Sequence, residues 1–145
     1  MIELCDYIYY NYPNLKNKVQ YWQLLSLLDR NEDKVITVKE GDKFKGAGIY
    51  LKLSDNSFED LKLISKYGTR KEIKEFLSLP LNMALFLQEK GDNIHFFILL
   101  ADSFHTIRKG LREVIKRENA KNVSWFDIET YKLKVFKIER ELCKV

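Results

Sequence analysis

The chain has 145 residues, of which 46% are hydrophobic and 32% are charged, and its formal net charge is +4. This composition excludes a disordered or fibrous protein, and the length predicts a single domain spanning residues 1–145. The small basic excess is compatible with nucleic-acid binding but does not favour it, since dedicated nucleic-acid binders concentrate their positive charge.

Cysteine placement and the N-terminal sequence bear on the compartment. Cys5 and Cys143 lie at opposite ends of the chain and form no CxxC motif, which favours two reduced thiols over a disulfide. The N-terminus, MIELCDYIYYNYP, has acids and tyrosines where a signal peptide needs a positive start and an apolar centre. No apolar run approaches the roughly 20 residues that span a bilayer. We therefore expect a soluble, cytoplasmic protein with no membrane association.

The N-terminal third is predicted to contain a helix followed by a hairpin. Residues 1–12 fit neither helical nor strand periodicity, so both conformations stay open. From Pro13 to Arg30 apolar residues recur at three- and four-residue steps, which predicts one helix packed on more than one side. Val35–Lys39 and Phe44–Leu53 are predicted strands joined by a short turn. Gly46-Ala47-Gly48 in the second strand indicates a bulge or a close backbone approach rather than a phosphate loop.

Two short helices and a second hairpin are predicted next. Capping boxes at Ser57–Asp60 and Thr69–Glu72 mark the helix starts, and Gly68 marks the end of the first helix. Met83–Glu89 and Ile94–Ala101 flank a turn signal and are predicted as a β-hairpin. The second of these strands is nearly continuous in apolar residues, which predicts a central strand covered on both faces.

A basic amphipathic helix and a C-terminal hairpin complete the prediction. Asp102 or Ser103 can cap a helix that Asn119 closes, with apolar residues on one face and basic residues on the other. Asn122–Asp127 and Lys132–Ile138 are predicted strands, and the last residues, ERELCKV, are expected to fray. The order of elements predicts an α+β fold with a single mixed or antiparallel sheet flanked by helices.

The start of the basic helix, from Ser103 to Arg112, is the strongest candidate for a binding site. A helix N-terminus presents unpaired amides and the positive end of the dipole, which together suit a phosphate group. Arg108 and Lys109 add full positive charges, and Gly110 would let a ligand approach the helix closely. The same residues also fit a solvated helix face, and that alternative stays open.

A strand, a polar break, a helix carrying Arg108-Lys109-Gly110 and a further strand, NVSWF, resemble the core of the GNAT acyltransferase superfamily. The likeness covers roughly residues 14–137, and the order of elements is also similar to small phage or prophage proteins with acyltransferase-like folds. It implies an acyl-CoA N-acyltransferase-like fold that passes an acyl group from CoA to an amine. Arg108, Lys109 and the amides before Gly110 would hold the pyrophosphate. The family's loop reads Gln/Arg-x-x-Gly-x-Gly/Ala, whereas Arg108–Arg112 contains one glycine.

The resemblance further implies a general base on or near the strand that precedes the helix. His95 lies on that predicted strand and Asp102 lies at its end, so these two residues are the catalytic candidates. A histidine with a pKa near ~6.5 can accept a proton at neutral pH. Structural roles compete, with His95 satisfied inside the hairpin and Asp102 serving as a helix cap. No His or Cys cluster has metal-ligand spacing, so no metal is expected.

A non-enzymatic alternative uses the basic helix, residues 104–118, and the C-terminal hairpin to bind nucleic acid or a protein partner. Trp125 and Phe126, with the lysines of the last strand, could form a base-stacking surface, although such lysines equally protect an edge strand. The tyrosines of residues 1–12 and the broad apolar arc of the first helix suggest a protein partner or self-association.

Overall fold

A computed structural model describes residues 1–77, 89–127 and 129–138 of the chain. Within these ranges the chain forms five α-helices and five strands. They are α1 (Ile2–Asn11), α2 (Tyr21–Arg30), β1 (Val35–Glu40), β2 (Lys43–Leu53), α3 (Asp55–Tyr67), α4 (Arg70–Leu77), β3 (Asn93–Ala101), α5 (Phe104–Glu118), β4 (Asn122–Phe126) and β5 (Leu133–Lys137). None of the helices in this part of the chain is both long and apolar enough to span a bilayer.

The five strands form one open sheet in the order β1-β2-β3-β4-β5. Neighbouring strands are antiparallel except β3 and β4, which are parallel. Between these two strands α5 returns the chain to the end of the sheet at which β3 began. This arrangement confirms the predicted α+β class with a mixed sheet. It also confirms that the segment from Ile94 to Ala101 is an interior strand, since β3 lies between β2 and β4.

Helices cover both faces of the sheet. On one face α5 packs over an apolar cluster that includes Tyr50, Phe96 and Val114. On the other face α1 and α2 cover one apolar cluster, and α3 and α4 cover a second one that includes Leu51 and Phe126. The alternation of side chains along β2 explains the division, because successive residues of a strand point to opposite faces.

The prediction of one helix from Pro13 to Arg30 is wrong in its first half. The ambiguous residues 1–12 contain α1, and Asn14 then adopts a left-handed conformation with φ 61°. An α-helix cannot continue through such a residue, so only a short 3-10 turn follows. The helix starts again at Tyr21, where the backbone N–H of Gln20 donates to Gln23 Oε1 at 2.8 Å.

The glycines of β2 confirm the predicted close backbone approach. A Cβ at Gly46 would lie 2.6 Å from Thr106 Cγ2, and a Cβ at Gly48 would lie 2.7 Å from the Phe96 ring. The two glycines therefore let Thr106 of α5 and the Phe96 ring of β3 come close to the backbone of β2. The predicted hairpin of β1 and β2 is confirmed as well, with Gly41 in its turn at φ 61°.

The capping predictions for α3 and α4 have different outcomes. The box predicted at Ser57–Asp60 is wrong, because the N-cap is Ser54, whose Oγ accepts from the Ser57 N–H. The box at Thr69–Glu72 is confirmed by reciprocal hydrogen bonds of 3.2 Å between the two residues. Gly68 ends α3 as predicted. The strand predicted at Met83–Glu89 lies outside the described residues except for Glu89, and the C-terminal ERELCKV lies wholly outside them.

Candidate ligand-binding cleft

The two parallel strands at the centre of the sheet separate after four paired residues. Asn93 to Phe96 of β3 pair with Asn122 to Trp125 of β4. Beyond that point β3 continues to Ala101, whereas β4 ends at Phe126. A cleft of about 1000 Å³ lies between the carboxyl ends of the two strands. The cleft is therefore a product of strand divergence within the sheet.

A polar network holds the opposite ends of β3 and β4 together. Asn93 is buried, and its Nδ2 donates to Leu53 O at 3.1 Å and to Asp55 Oδ1 at 2.9 Å. Its Oδ1 accepts from Asn122 Nδ2 at 2.8 Å. The bond from Asn93 and the ammonium of Lys121 lower the pKa of Asp55. Buried and partly buried hydrogen bonds thus hold the amino ends of the parallel strands together.

A β-bulge precedes the open part of β3. Ile98 pairs with Ile49 and Phe96 pairs with Tyr50, so Phe97 is an extra residue with no partner in the ladder. A bulge bends its strand and increases the local twist. Among the described residues, the edge of β3 that faces β4 has no strand partner beyond Phe96. Within the described ranges, this stretch of β3 therefore borders the cleft with no neighbouring strand beside it.

The cleft has apolar walls and a polar rim. Leu99, Leu100 and Phe126 contribute to the walls, and Ile107 of α5 closes one side. The exposed polar residues of the lining come from the end of α1 and the connection to α2, from α4 and from the turn after β4: Asn11, Asn14, Asn17, Lys18, Lys74 and Glu129. This distribution suits a ligand with an apolar body and polar or charged ends.

The turn between β4 and β5 forms a fixed part of the rim. Asp127 Oδ1 accepts from the backbone N–H groups of Glu129 at 2.8 Å and Thr130 at 3.1 Å. These two bonds lower the pKa of Asp127. The guanidinium of Arg70 lies 5.1 Å from the centre of the Tyr131 ring and donates to Glu129 O at 3.3 Å. The first residue of α4 therefore anchors this side of the cleft.

His95 lines the inner end of the cleft and is 1% exposed. Its Nδ1 lies 2.9 Å from Ser124 Oγ of β4, and its ring packs edge-on against Phe126. Burial lowers the pKa of His95 to about 3, which corrects the expectation of a pKa near 6.5. The imidazole is neutral at physiological pH and is a weak base. Its assignment as a catalytic residue stays a prediction.

Asp102 and Ser103 occupy the start of α5. Ser103 is the N-cap, and its Oγ accepts from the Thr106 N–H at 3.2 Å, which confirms the capping prediction. The hydroxyl of Thr106 donates to Asp102 Oδ1 at 2.6 Å, and this bond, with the ammonium of Lys45 at 3.7 Å, lowers the pKa of Asp102. The helix start therefore already carries a carboxylate, which weakens its attraction for a phosphate.

The three predicted cofactor-binding residues have different environments. Arg108 and Lys109 are exposed on α5, and the guanidinium of Arg108 lies 5.1 Å from the centre of the Phe104 ring. Gly110 is buried, and a Cβ there would lie 3.4 Å from Ile36 Cγ2 of β1. Gly110 thus faces the sheet, so its small size serves helix packing rather than ligand approach. Phosphate binding by Arg108 and Lys109 stays a prediction.

The C-terminal hairpin has an exposed edge. Among the described strands β5 pairs only with β4, and its side chains point largely to solvent, with Phe136 52% exposed. Trp125 is half-buried under α5, whereas Phe126 is buried on the opposite face. This geometry agrees with a lysine-protected edge strand, and a nucleic-acid surface on this hairpin stays a prediction.

The surface of α1 and α2 bears on the predicted partner. Three of the four tyrosines in residues 7–12 are half-buried, whereas Tyr10 and Trp22 are 60% and 63% exposed. Cys5 is buried with its thiol 3.9 Å from Tyr21 O, and Cys143 lies outside the described residues. Self-association through this surface stays a prediction.

Sequence reasoning missed most of the cleft lining. The asparagines around Pro13 and the Asp127 turn were visible as polar, turn-forming residues, but nothing in their local pattern placed them beside β3. In the residues that the structure covers, no three His, Cys, Asp or Glu side chains form a group able to hold a metal ion. No protein-family model, curated protein or solved structure matches the chain. The geometry of the cleft therefore carries the functional argument.

Proposed function

We propose that the cleft between β3 and β4 binds an acyl-CoA thioester and that the fold is acyl-CoA N-acyltransferase-like. The observation that carries the proposal is the separation of two parallel central strands after four paired residues. Among the described strands, the separation leaves the edge of β3 beyond Phe96 without a neighbour, beside a cavity of about 1000 Å³. Such a volume is at the upper end of ordinary ligand pockets, roughly 300–1,000 Å³.

The pantetheine arm of CoA fits the free edge of β3. It is an extended chain with two amide groups, and an extended amide-bearing chain can hydrogen-bond a strand edge as an added strand would. The apolar side chains of Leu99, Leu100 and Phe126 would contact the methylene groups and the acyl chain. Arg108 and Lys109 are the proposed phosphate contacts, because their charges lie on the helix that leaves this end of β3.

The reaction that such a complex would support is transfer of the acyl group to an amine. The amine nitrogen forms an amide bond with the thioester carbonyl, the carbon–sulfur bond breaks, and the departing thiolate takes up a proton. His95 and Asp102 are both weak bases, because burial lowers the first pKa and hydrogen bonding lowers the second. The proposal therefore assigns acyl-CoA binding to the cleft and assigns no general base.

Thermal unfolding with CoA and acetyl-CoA tests the binding. A ligand at one hundred times its dissociation constant stabilises the folded state by ~2.7 kcal/mol, so the melting temperature should rise. Leu100→Trp would fill the cleft and should remove the rise. Leu63→Trp, at a 52% exposed position on α3, is the matched control and should retain it. No rise for the parent protein would reject the proposal.

Paired alanine substitutions on α5 locate the phosphates. Arg108→Ala with Lys109→Ala should abolish the CoA-induced rise and leave the unliganded melting temperature nearly unchanged, since both side chains are exposed. Arg112→Ala with Lys116→Ala removes the same charge further along the helix and should leave CoA binding intact. Equal CoA binding by the first variant and the parent would exclude this phosphate site.

Nucleic-acid binding by α5 is the second candidate function. Its basis is the exposed basic face of the helix, formed by Arg108, Lys109, Arg112 and Lys116. A random oligonucleotide would bind with an affinity that falls steeply with salt, because bound counterions are released. Both alanine pairs should then weaken oligonucleotide binding. In contrast, only Arg108→Ala with Lys109→Ala should weaken CoA binding.

A further inference from the structure

The described residues that line the cleft include two lysines and two acids, and the opposite charges belong to different segments. Lys18 lies on the connection between α1 and α2, and Lys74 lies on α4. Asp127 and Glu129 belong to the turn between β4 and β5. The rim of the cleft therefore has a positive region on two helical segments and a negative region on one turn.

Buried neighbours fix the backbone at both lysines. Lys18 lies between Leu15 and Val19, which are buried against the sheet, and Lys74 follows the buried Ile73. The two lysine residues are themselves exposed, so an anion can approach their ammonium groups from solvent. The positive region therefore has a fixed backbone and accessible charges.

The fold of the β4–β5 turn holds the two acids in the same way. Asp127 Oδ1 accepts from the N–H groups of Glu129 and Thr130, and these bonds lower the pKa of Asp127, which is ionised at neutral pH. Glu129 is exposed, and its carbonyl oxygen accepts from Arg70 of α4. The negative region suits the cationic end of a ligand.

The contact between Arg70 and Glu129 indicates the spacing of the two regions. Arg70 touches the acidic turn and precedes Lys74 by four residues, which is about 6 Å along an α-helix. Two extended residues span roughly 7 Å. The ends of a dipeptide would therefore reach both regions, whereas the two charges of a single amino acid lie on the same carbon atom.

We infer that the cleft binds a short apolar peptide as a zwitterion, with its carboxylate at Lys18 and Lys74 and its ammonium at Asp127 and Glu129. The apolar walls of the cleft would contact the side chains of the peptide. The charges on the rim thus define a ligand that is recognised at both of its ends.

The inference rests on the proposed function, because the peptide is the acceptor amine that the proposed acyl transfer requires. In that transfer the ammonium loses one proton to water, and the resulting amine forms the amide bond with the acyl carbon. The carbon–sulfur bond breaks, and the second proton of the amine passes to the departing thiolate. The products are an N-acyl peptide and free CoA.

Leucyl-leucine, leucyl-leucine amide and N-acetyl-leucyl-leucine test the inference by removing one ligand charge at a time. Nuclear magnetic resonance titration of the parent protein at low salt, with and without CoA, measures the three affinities and locates each ligand. Leucyl-leucine should bind about three- to tenfold more tightly than either derivative. Equal affinity for all three, or no binding of leucyl-leucine under either condition, would overturn the inference.

Substitutions at the rim should each affect one end of the peptide. Lys18→Gln with Lys74→Gln should weaken leucyl-leucine about three- to tenfold and leave the amide derivative unaffected. Glu129→Gln should weaken leucyl-leucine and leave the N-acetyl derivative unaffected. Lys71→Gln on α4 and Asp60→Asn on α3 are the matched controls, since both residues are exposed and outside the cleft lining.

A loss of affinity that is equal for all three peptides would contradict the assignment of the ends. Because every substituted residue in this series is exposed, we expect all the variants to fold. Leu100→Trp, which would fill the cleft, should abolish peptide binding, and undiminished binding by that variant would place the peptide elsewhere and overturn the inference.

The outcomes separate this inference from the proposed function. Charge-dependent peptide binding without a CoA-induced rise in melting temperature sustains the peptide site and rejects acyl-CoA as the second ligand. A CoA-induced rise without charge-dependent peptide binding supports the proposed function and overturns the inference.

Discussion

The imidazole of His95 couples stability to pH. Its pKa is about 3 in the folded protein and ~6.5 in an unfolded chain. The unfolded state therefore binds more protons below pH 6.5, and stability falls as the pH falls. Between pH 8 and pH 5 we expect the free energy of unfolding to drop by about 2 kcal/mol. Urea unfolding at both pH values measures the change.

The pH prediction has a direct control. His95→Leu should remove most of the drop between pH 8 and pH 5, whereas His105→Leu should retain it, because His105 is exposed. Carboxylates with lowered pKa values, such as Asp102 and Asp127, lose their contribution to the free energy of unfolding only below this pH range. A drop that persists in His95→Leu would mean that other titratable groups cause it.

Substitution by alanine should have opposite effects on stability at Gly48 and Gly110. Gly48→Ala would place a methyl group 2.7 Å from the Phe96 ring, so we expect a loss of about 1–3 kcal/mol. Gly110→Ala places its methyl group 3.4 Å from Ile36 in a helix interior, where alanine is favoured by up to ~1 kcal/mol. That variant should be as stable as the parent or more so, and it should bind CoA equally well. Thermal unfolding compares the pair.

At the scale of elements, the start of α5 balances stability against anion binding. The ionised Asp102 carboxylate accepts from Thr106 and stabilises the helix N-terminus, but it repels a phosphate there. Asp102→Asn should lower the free energy of unfolding by about 0.3–1 kcal/mol. If CoA phosphates lie at this helix start, the same change should tighten CoA binding about three- to fivefold at low salt. Calorimetric titration measures it.

Ser103→Ala is the control for the Asp102 variant. It removes a cap of similar energy, about 1 kcal/mol, but leaves the net charge unchanged. Its CoA affinity should therefore stay close to that of the parent. If Asp102→Asn and Ser103→Ala bind CoA alike, the phosphates lie away from the first turn of α5.

Local sequence patterns predicted those elements whose signals are local. β1, β2 and α5 follow from their periodicity, and the Thr69–Glu72 box was identified because both partners are close in sequence. The start of α2 was misplaced because the apolar period ran unbroken past Asn14. A left-handed asparagine and a glutamine cap are weak sequence signals compared with glycine, serine or aspartate.

At the scale of the whole molecule, the network around Asn93 holds the central strands together. Asn93→Ala would leave the buried Leu53 carbonyl and the Asn122 amide without their partner. We expect a loss of about 2–3 kcal/mol. Amide hydrogen exchange in β3 and β4 should also become faster, because the two strands lose the hydrogen bond that joins their amino ends. Asn56→Ala, at an exposed position of α3, should change neither quantity.

The cleft could not be predicted from the sequence. The pattern identified the interior strand and the basic helix, but not the point at which β3 and β4 separate. The bulge at Phe97 lies just beyond that point and the connection between α1 and α2 lines the cleft, and these segments come together only in the folded chain. The burial of His95 was equally hidden, since it depends on Ser124 and Phe126, about 30 residues away.

The bulge makes β3 one residue longer than its pairing with β2 requires. Without Phe97, Phe96 and Ile98 would fall opposite Tyr50 and Ile49 in an unbroken ladder, and every other side chain would keep its present face. Deletion of Phe97 would therefore give a shorter β3 that pairs regularly with β2. A protein lacking Phe97 should still give a cooperative melting curve, yet its straightened strand should no longer accept pantetheine.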